Sequence, residues 1–302
     1  MPRLRFSRGN TSPPSASTGL PQTGWRDGLT RREMLQALAA VGIGTVAGTG
    51  AHGFFYERHR LEVTRLTAAV SGLPDALSGL RIGFLTDLHR SRSVPHDLIA
   101  GAVRLLMQEH PDLIVLGGDY VTDFDRRYID PVAEALAPLV APHGVFGILG
   151  NHDDDRYVPA ALEQRRIEML LDARTRLTIR GEALDLIGIR YWTRKVGEIA
   201  RVARGAAPAS VLLAHTPARL MEAAALAIPL MLSGHTHGGQ VVLPGLGAVA
   251  ARNFPIVAGL GRRDSTTAFV SRGIGTVYMP VRVDCPPEVA VLTLAPNIPP
   301  DR

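Results

Sequence analysis

An α/β domain running from Leu61 to Pro296 is the fold class that the sequence predicts, and three observations predict it. Apolar runs of strand length alternate with segments of helical period. Five of those runs end in residue types that ligate metals: Leu85-Thr86-Asp87-Leu88-His89, Leu116-Gly117-Gly118-Asp119, Leu149-Gly150-Asn151-His152-Asp153, Leu213-Ala214-His215 and Ser233-Gly234-His235-Thr236-His237. No internal repeat and no second linker interrupts the stretch. Side chains at the end of a buried strand sit on short, well-anchored loops where binding groups are displayed, so the five loop tips are expected to converge on one site.

Alternation in Leu61 to Val70 predicts an edge strand, and Arg81 to Thr86 a buried one leading into Asp87. Pro95 to His110 has helical spacing through Leu98, Ile99, Ala102, Val103, Leu105 and Leu106 and stops before Pro111. Leu113 to Leu116 is the next strand, Ile129 to Leu139 a helix, and Val145 to Leu149 the strand that delivers Gly150 to Asp153. Pro159 to Leu171 reads as helical, followed by a hairpin of Leu177 to Ile179 and Leu184 to Ile189 that turns at Gly181. Val196 to Ala203 and Pro217 to Leu226 read as helices, Val211 to Leu213 and Leu230 to Leu232 as strands. Beyond His237 the pattern is β-rich, with strands expected at Gln240 to Leu243, Thr267 to Val270, Thr276 to Met279 and Val289 to Leu294.

The chain has 302 residues, 46% of them hydrophobic, which is enough to bury a full core. Cys285 is the single cysteine, so no intrachain disulfide can form and any metal must be held by His, Asp, Glu or Asn. Net charge is +5, and all of it precedes Leu61, where eight arginines face three acids. A neutral body carries no electrostatic footprint for nucleic acid, whereas a basic leader fits a membrane or a targeting receptor. Residues 1–29, rich in Ser, Thr, Pro and Gly, are expected to be a disordered leader. Residues 30–56 open with Thr30-Arg31-Arg32-Glu33-Met34-Leu35 and continue as a run, Gln36 to Tyr56, free of Asp, Glu, Lys and Arg. This resembles a twin-arginine export signal, and its alternative reading is a membrane anchor, since a spanning helix needs about 20 apolar residues. Gly42, Gly44, Gly48 and Gly50 weaken it as a helix and favour the signal. In either case positive charge before the run leaves the following domain on the outer side of the membrane.

Taken together, Asp87-x-His89, Gly118-Asp119, Gly150-Asn151-His152-Asp153, His215 and Gly234-His235-x-His237 resemble, in order and in type, the signature of the calcineurin-like metallophosphoesterases. The resemblance runs from about Leu61 to the C-terminus. Leu80-Arg81-Ile82, Gly238-Gly239-Gln240, Ser271-Arg272-Gly273, and Arg282 with Pro286-Pro287-Glu288 look like its bacterial exported or membrane-attached subgroup. What the resemblance implies is a four-layer αββα sandwich with a two-metal site at the strand ends. Carried over by position, Asp87, His89 and His237 resemble ligands of one metal, Asn151, His215 and His235 of the other, and Asp119 the bridge. His152 is implied to be catalytic, stabilising transition-state oxygens or protonating the leaving group. A mixed N and O ligand set suits manganese, iron or zinc better than magnesium or calcium. The expected activity is hydrolysis of a phosphoric ester, with an envelope or lipid-linked substrate favoured by location alone.

Taken singly, each histidine has a plainer reading as a hydrogen-bonded or surface residue, and a lone Asp as a cap. Five independent strand ends carrying these types together outweigh it. Asp153, Asp154 and Asp155 are expected to cap the next helix, although Asp153 also belongs to the motif, where it would support His152. Asp123, Asp125, Arg126 and Arg127 are expected to be solvated loop charges, and Cys285 a small buried hydrophobe. Gly188-Ile189-Arg190-Tyr191-Trp192 departs from the subgroup, which carries an acidic dipeptide after this strand. Tyr191 and Trp192 read either as a wall for a lipid or sugar or as packing beneath the loop. Two other functions fit the same signature: a pyrophosphate hydrolase of UDP-2,3-diacylglucosamine type, which would need the cytoplasmic face, and a scaffold with a decayed site, which the complete ligand set disfavours.

Overall fold

The computed structural model describes residues 31–297, so the expected leader lies outside the described residues. The chain divides into two units, Met1–Thr45 and Val46–Arg302. Among the described residues of the first, Arg31 to Thr45 belong to helix α1, Arg31–Phe55, whose Met34, Leu35, Leu38, Val41 and Ile43 are exposed. This is the one helix among the described residues long and apolar enough to cross a membrane.

In the second unit the strands form two six-stranded sheets. The first is ordered β1 (Glu62–Val70), β12 (Glu288–Pro296), β2 (Arg81–Leu85), β3 (Leu113–Leu116), β4 (Val145–Gly147), β5 (Glu168–Met169). The second is ordered β10 (Gly259–Arg263), β11 (Thr266–Val270), β9 (Leu230–Ser233), β8 (Ser210–Leu213), β7 (Glu182–Gly188), β6 (Ala173–Ile179). Helices α2 (His96–Gln108), α3 (Ile129–Leu136) and α4 (Tyr157–Glu163) cover the first sheet, and α5 (Val196–Val202) and α6 (Leu220–Ala225) the second.

Strand alternation explains the layering. Along β3, Leu113 and Val115 face the second sheet, meeting Leu213, Leu232 and Phe269, while Ile114 and Leu116 face the helices, meeting Val103, Leu106 and Val132. Leu212 and Met231 in the second sheet point outward to Ile199, Leu220 and Ala223. Both faces of the central strands β2, β3, β8 and β9 are therefore dry, and apolar runs without polar alternation are what such strands require. The result is the four-layer αββα sandwich. Parallel pairing of β2, β3 and β4, and of β8 and β9, brings five strand C-termini to one end.

Three sequence expectations differ from the structure. The helix expected over Pro159 to Leu171 ends at Glu163, because Gln164-Arg165-Arg166 breaks the apolar period and Arg166 turns left-handed, after which Ile167 and Met169 alternate into β5. Gln240 to Leu243 and Thr276 to Met279 are irregular, with Gln240 and Tyr278 at positive φ and only isolated bridges from Val241 to Val283 and from Leu243 to Gly247. Strand β10 was not expected, since its glycine- and arginine-rich sequence carries no buried face.

Asp185 on β7 is a heavily bonded buried charge away from the strand ends. Its carboxylate is inaccessible and accepts hydrogen bonds from Arg174 at 2.7 Å, twice from Arg176 at 2.8 Å, and from Ala207 N. Burial raises its pKa, but the two guanidinium groups and the amide outweigh it and hold the carboxyl below the usual range. Asp185→Asn is expected to cost about 2 kcal/mol at pH 7, since the arginines stay partly solvated. A depressed folded pKa contributes above the unfolded value near 4 and is lost as pH falls through the folded value. Urea melts of both proteins should therefore converge in acid. A gap that stays constant from pH 7 to pH 3 would contradict this.

Candidate metal centre

The loop after β2 carries Asp87 and His89, that after β3 Asp119, that after β4 Asn151 and His152, that after β8 His215, and that after β9 His235 and His237. Asp87, His89, Asp119, His235 and His237 all sit at positive φ, a conformation costing of order 1 kcal/mol for a non-glycine residue. Such strain is kept where neighbours over-determine it, and here the neighbours are glycines. A Cβ at Gly234 would collide with Asp87 Oδ2, and one at Gly150 with Asp119 Oδ1.

The side chains form two groups, Asp87 with His89 and His237, and Asp119 with His215 and His235, the ligand atoms of each group lying within 4.8 Å of one another. Asp119 Oδ2 stands between them, 3.4 Å from His89 Nε2 and 3.1 Å from His215 Nε2. His89 Nε2 and His237 Nε2 face each other at 3.1 Å, and Asp87 Oδ1 lies 3.5 Å from His237 Nε2. Asp87 accepts the His235 backbone N–H on both oxygens at 3.0 Å, and Asp119 Oδ1 accepts that of His152 at 2.9 Å. His215 Nδ1 donates to Gly117 O at 2.7 Å, which turns Nε2 toward the carboxylates. The structure thus brings six of the seven expected ligands together. The seventh, Asn151, precedes His152 on the same loop, and its Oδ1 is buried without a hydrogen-bond partner.

The electrostatics show what this set lacks. Burial works against a charge on His215, but Asp119 and Asp87 outweigh it and push the imidazole up to about 10. Burial, with the charge of His215, pulls His235 down to about 4, and burial holds His237 well below its ordinary value. Burial raises Asp87, while at Asp119 it is outweighed by His215 and His89, which hold the carboxyl well below the usual range. His215 Nε2 and Asn151 Oδ1, both buried, make no hydrogen bond. Two buried carboxylates, imidazole nitrogens facing one another and the orphaned Asn151 Oδ1 are what a cation would satisfy, so the residues present fit divalent metal.

Asp153 and Asp123 depart from the sequence expectation. Asp154, not Asp153, caps α4, accepting the N–H groups of Arg156 and Tyr157. Asp153 is buried and accepts N–H groups from Gly150, Asp119 and Tyr120 at 2.7 to 2.8 Å, which sews the β3 and β4 loops together. Burial and the neighbouring Asp119 raise it to about 7, against those donors. Asp155 is exposed near Arg190. Asp153→Ala strands three donors, and is expected to lower metal affinity 10- to 100-fold and stability by about 2 kcal/mol, measured by metal titration and urea melting. Unchanged metal affinity would show that the loops hold their register without it.

Asp123 is exposed, yet its Oδ1 lies 3.0 Å from His152 Nδ1 and its N–H donates to that nitrogen at 3.1 Å. Sequence reasoning missed it because Asp123-Phe124-Asp125-Arg126-Arg127 reads as solvated charge, as Asp125 and Arg127 indeed are, paired with each other. The signal available was general: a catalytic imidazole is oriented by a third group. Thr122 Oγ1, 3.2 Å from His89 Nδ1, was missed likewise. Cys285 is buried, its Sγ donating to His237 O at 3.2 Å. Tyr191 is half-buried with its ring 5.4 Å from that of His235, while Trp192 is exposed. Among the clefts beside the centre are a polar one of about 590 Å³, lined by Thr122, Asp123, Arg92 and Arg127, and an apolar one of about 470 Å³ reaching His235 and His237.

Fold and site together define an αββα sandwich whose strand-end loops are built to hold divalent metal. A family model described as calcineurin-like phosphoesterase matches residues 80–239. Phosphodiesterase YaeI of Escherichia coli K12 is 32% identical over 282 residues, covering 88% of this chain and 99% of that protein. An uncharacterized metallophosphoesterase of Bacillus subtilis, YkuE, is 28% identical over 284 residues, covering 88% and 98%. Among solved structures, the Haemophilus influenzae NAD nucleotidase aligns with TM-score 0.45 at 14% identity, over 65% of this chain and 45% of that one. The chain belongs to the calcineurin-like phosphoesterase family. It is a hydrolase acting on phosphoester bonds.

Proposed function

We propose that the chain is a phosphodiesterase with a dinuclear metal centre, held by Asp87, His89 and His237 on one side and by Asn151, His215 and His235 on the other, with Asp119 as the bridge. The position of Asp119 Oδ2 between His89 and His215 carries this reading. Manganese, iron or zinc suits the mixed N and O donors. When bound, the two ions supply charge neutralisation on the phosphoryl oxygens and a hydroxide at neutral pH.

The chain's own residues do the rest. His152 is the catalytic acid. Its Nδ1 accepts the Asp123 N–H, so in the neutral ring the proton sits on Nε2, where it can pass to a leaving oxygen. When the ring is doubly protonated, the Asp123 carboxylate at 3.0 Å accepts from Nδ1. Asp119 fixes the backbone of His152 through Oδ1 and so couples the centre to the acid. The apolar helix α1 and the basic residues before it support a location at the membrane, with the domain outside the cytoplasm and twin-arginine machinery as exporter. An envelope or lipid-linked phosphodiester is the substrate class this location favours.

Hydrolysis by the full chain, loaded with manganese, of matched chromogenic phosphate monoester and diester tests the reaction. Cleavage of the diester at the higher kcat/KM is expected, and a metal-loaded protein that cleaves neither would overturn the reading. A reporter fused after Arg302 tests the location, and activity confined to the cytoplasm would sink it.

A further inference from the structure

The apolar cleft reaches His235 and His237, while its other walls have no part in holding metal, and their construction is specific. Leu243 and Val249 from one loop and Val277 and Met279 from another form its walls, and Phe254 lies on the His235 ring at 5.4 Å. No carboxylate, lysine or arginine lines it. The two loops are fastened to each other: Gln240 Nε2 donates to Met279 O at 2.7 Å, its Oε1 accepts the Val277 N–H at 3.1 Å, and Val241 bridges to Val283. The groove is therefore built into the fold, and its rim leaves large apolar side chains in solvent, Tyr278 at 86% and Met279 at 60% exposure. Contiguous exposed apolar surface of this kind marks a binding site for something apolar.

Two observations say what occupies it. The groove runs into His235 and His237, so its ligand is continuous with whatever binds at the metals, which makes it part of the substrate. The loop that follows Met279 also holds the end of the apolar helix. Arg282 N donates to Gly53 O at 3.3 Å, and Cys285 N donates to Glu57 Oε1 at 2.7 Å. The end of a helix with membrane-spanning composition thus stands beside the rim of the groove.

We propose that this groove seats the alkyl or acyl chain of an amphiphilic phosphodiester, which deepens the phosphodiesterase reading and rests on it. Tyr278 and Met279 border both clefts, so they separate the apolar groove at His235 from the polar cleft on the His152 and Asp123 side. The lipid portion keeps its phosphate at the metals while the polar portion, lying against Thr122, Asp123 and Arg92, departs with the proton from His152. Water adds to phosphorus, the bond from phosphorus to the polar group's oxygen breaks, and the products are a lipid phosphate and a polar alcohol.

The test uses the full chain in lipid nanodiscs, loaded with manganese, beside Val249→Asp and Leu243→Asp, both at half-exposed positions off the metal centre. Calorimetric titration with inorganic phosphate and with methyl, butyl and octyl phosphate reads the groove. Affinity is expected to rise about two- to fourfold per methylene in the unaltered protein, since each buried methylene contributes a roughly constant increment. In both variants that dependence should collapse while inorganic phosphate binds as before. Affinity indifferent to chain length, or equally dependent on it in the variants, would overturn the proposal and leave the groove to a protein partner or to the bilayer surface. Hydrolysis of methyl p-nitrophenyl phosphate by the same sample judges the reaction separately. Chain-length dependence without hydrolysis supports the groove and sinks the diester chemistry, whereas hydrolysis without chain-length dependence sinks only the groove.

Discussion

Asp119→Ala is expected to lower kcat on a phosphodiester by at least about 10³-fold and to reduce bound metal to one ion per chain or fewer. The magnitude follows from what one carboxylate does here. Its Oδ2 reaches toward both ligand groups and its Oδ1 holds the backbone of His152, so its removal would take the proposed bridging ligand from both groups and the anchor from His152 at once. Loss of a single preorganised electrostatic contact at a reacting centre costs about 10² to 10³ in kcat, and Asp119 makes several. Asp119→Asn keeps the shape and one lone-pair oxygen but loses the charge. It should fold, hold the first ion, and remain severely impaired. Metal analysis and kinetics on the same sample, with melting curves to establish folding, would separate these effects. Two ions retained at full affinity in Asp119→Ala would show that Asp119 is not the bridge.

His152→Ala is expected to lower kcat by about 10² to 10⁴, the usual range for a positioned acid, with metal content unchanged. The loss should depend on the leaving group. A p-nitrophenolate departs readily without a proton, whereas an alkoxide does not, so the penalty should be larger for an alkyl diester than for a nitrophenyl one. A penalty equal for both would assign His152 to stabilising the phosphoryl oxygens instead. Asp123→Ala, which removes only the carboxylate near Nδ1, should give a smaller loss in the same pattern.

The contrast between Asp119 and Asp123 explains how far the sequence could be read. Asp119 follows an apolar run of four residues, Leu113 to Leu116, after the short turn Gly117-Gly118, and a buried strand fixes where the loop that leaves it begins. Asp87, His215, His235 and His237 follow apolar runs in the same way, which places them together at one end of the sandwich. Buried strands of a doubly covered sheet announce themselves by apolar runs, which is why β2, β3, β8 and β9 were legible almost to the residue. Asp123 lies in a loop where backbone direction is set by tertiary contacts, and nothing in Asp-Phe-Asp-Arg-Arg distinguishes the carboxylate beside His152 from the one that pairs with Arg127. Asp153 was misread for a related reason. Three consecutive aspartates before a helix look like caps, and only the fold reveals that the first turns inward to bind the β3 loop.

Irregular segments were the least legible part of the chain. Gln240 to Leu243 and Thr276 to Met279 have strand-like composition but are held by side-chain bonds of Gln240 instead of a ladder. Arg282 was noticed only as part of a motif. Its side chain is fully buried and donates to the carbonyls of Arg272, Gly273, Gly275 and Cys285, and so braces the loop that packs on Asp87. A buried guanidinium held mainly by carbonyls has no sequence signature, because those partners are backbone atoms common to every residue.

The most direct test of the account is to count and locate the ions. The full chain, purified with manganese, would be analysed for metal content and crystallised for anomalous diffraction. Two ions per chain are predicted, roughly 3.5 to 4 Å apart, with Asp119 between them. A single ion, or a pair held by other residues, would contradict the assignment of the dinuclear centre.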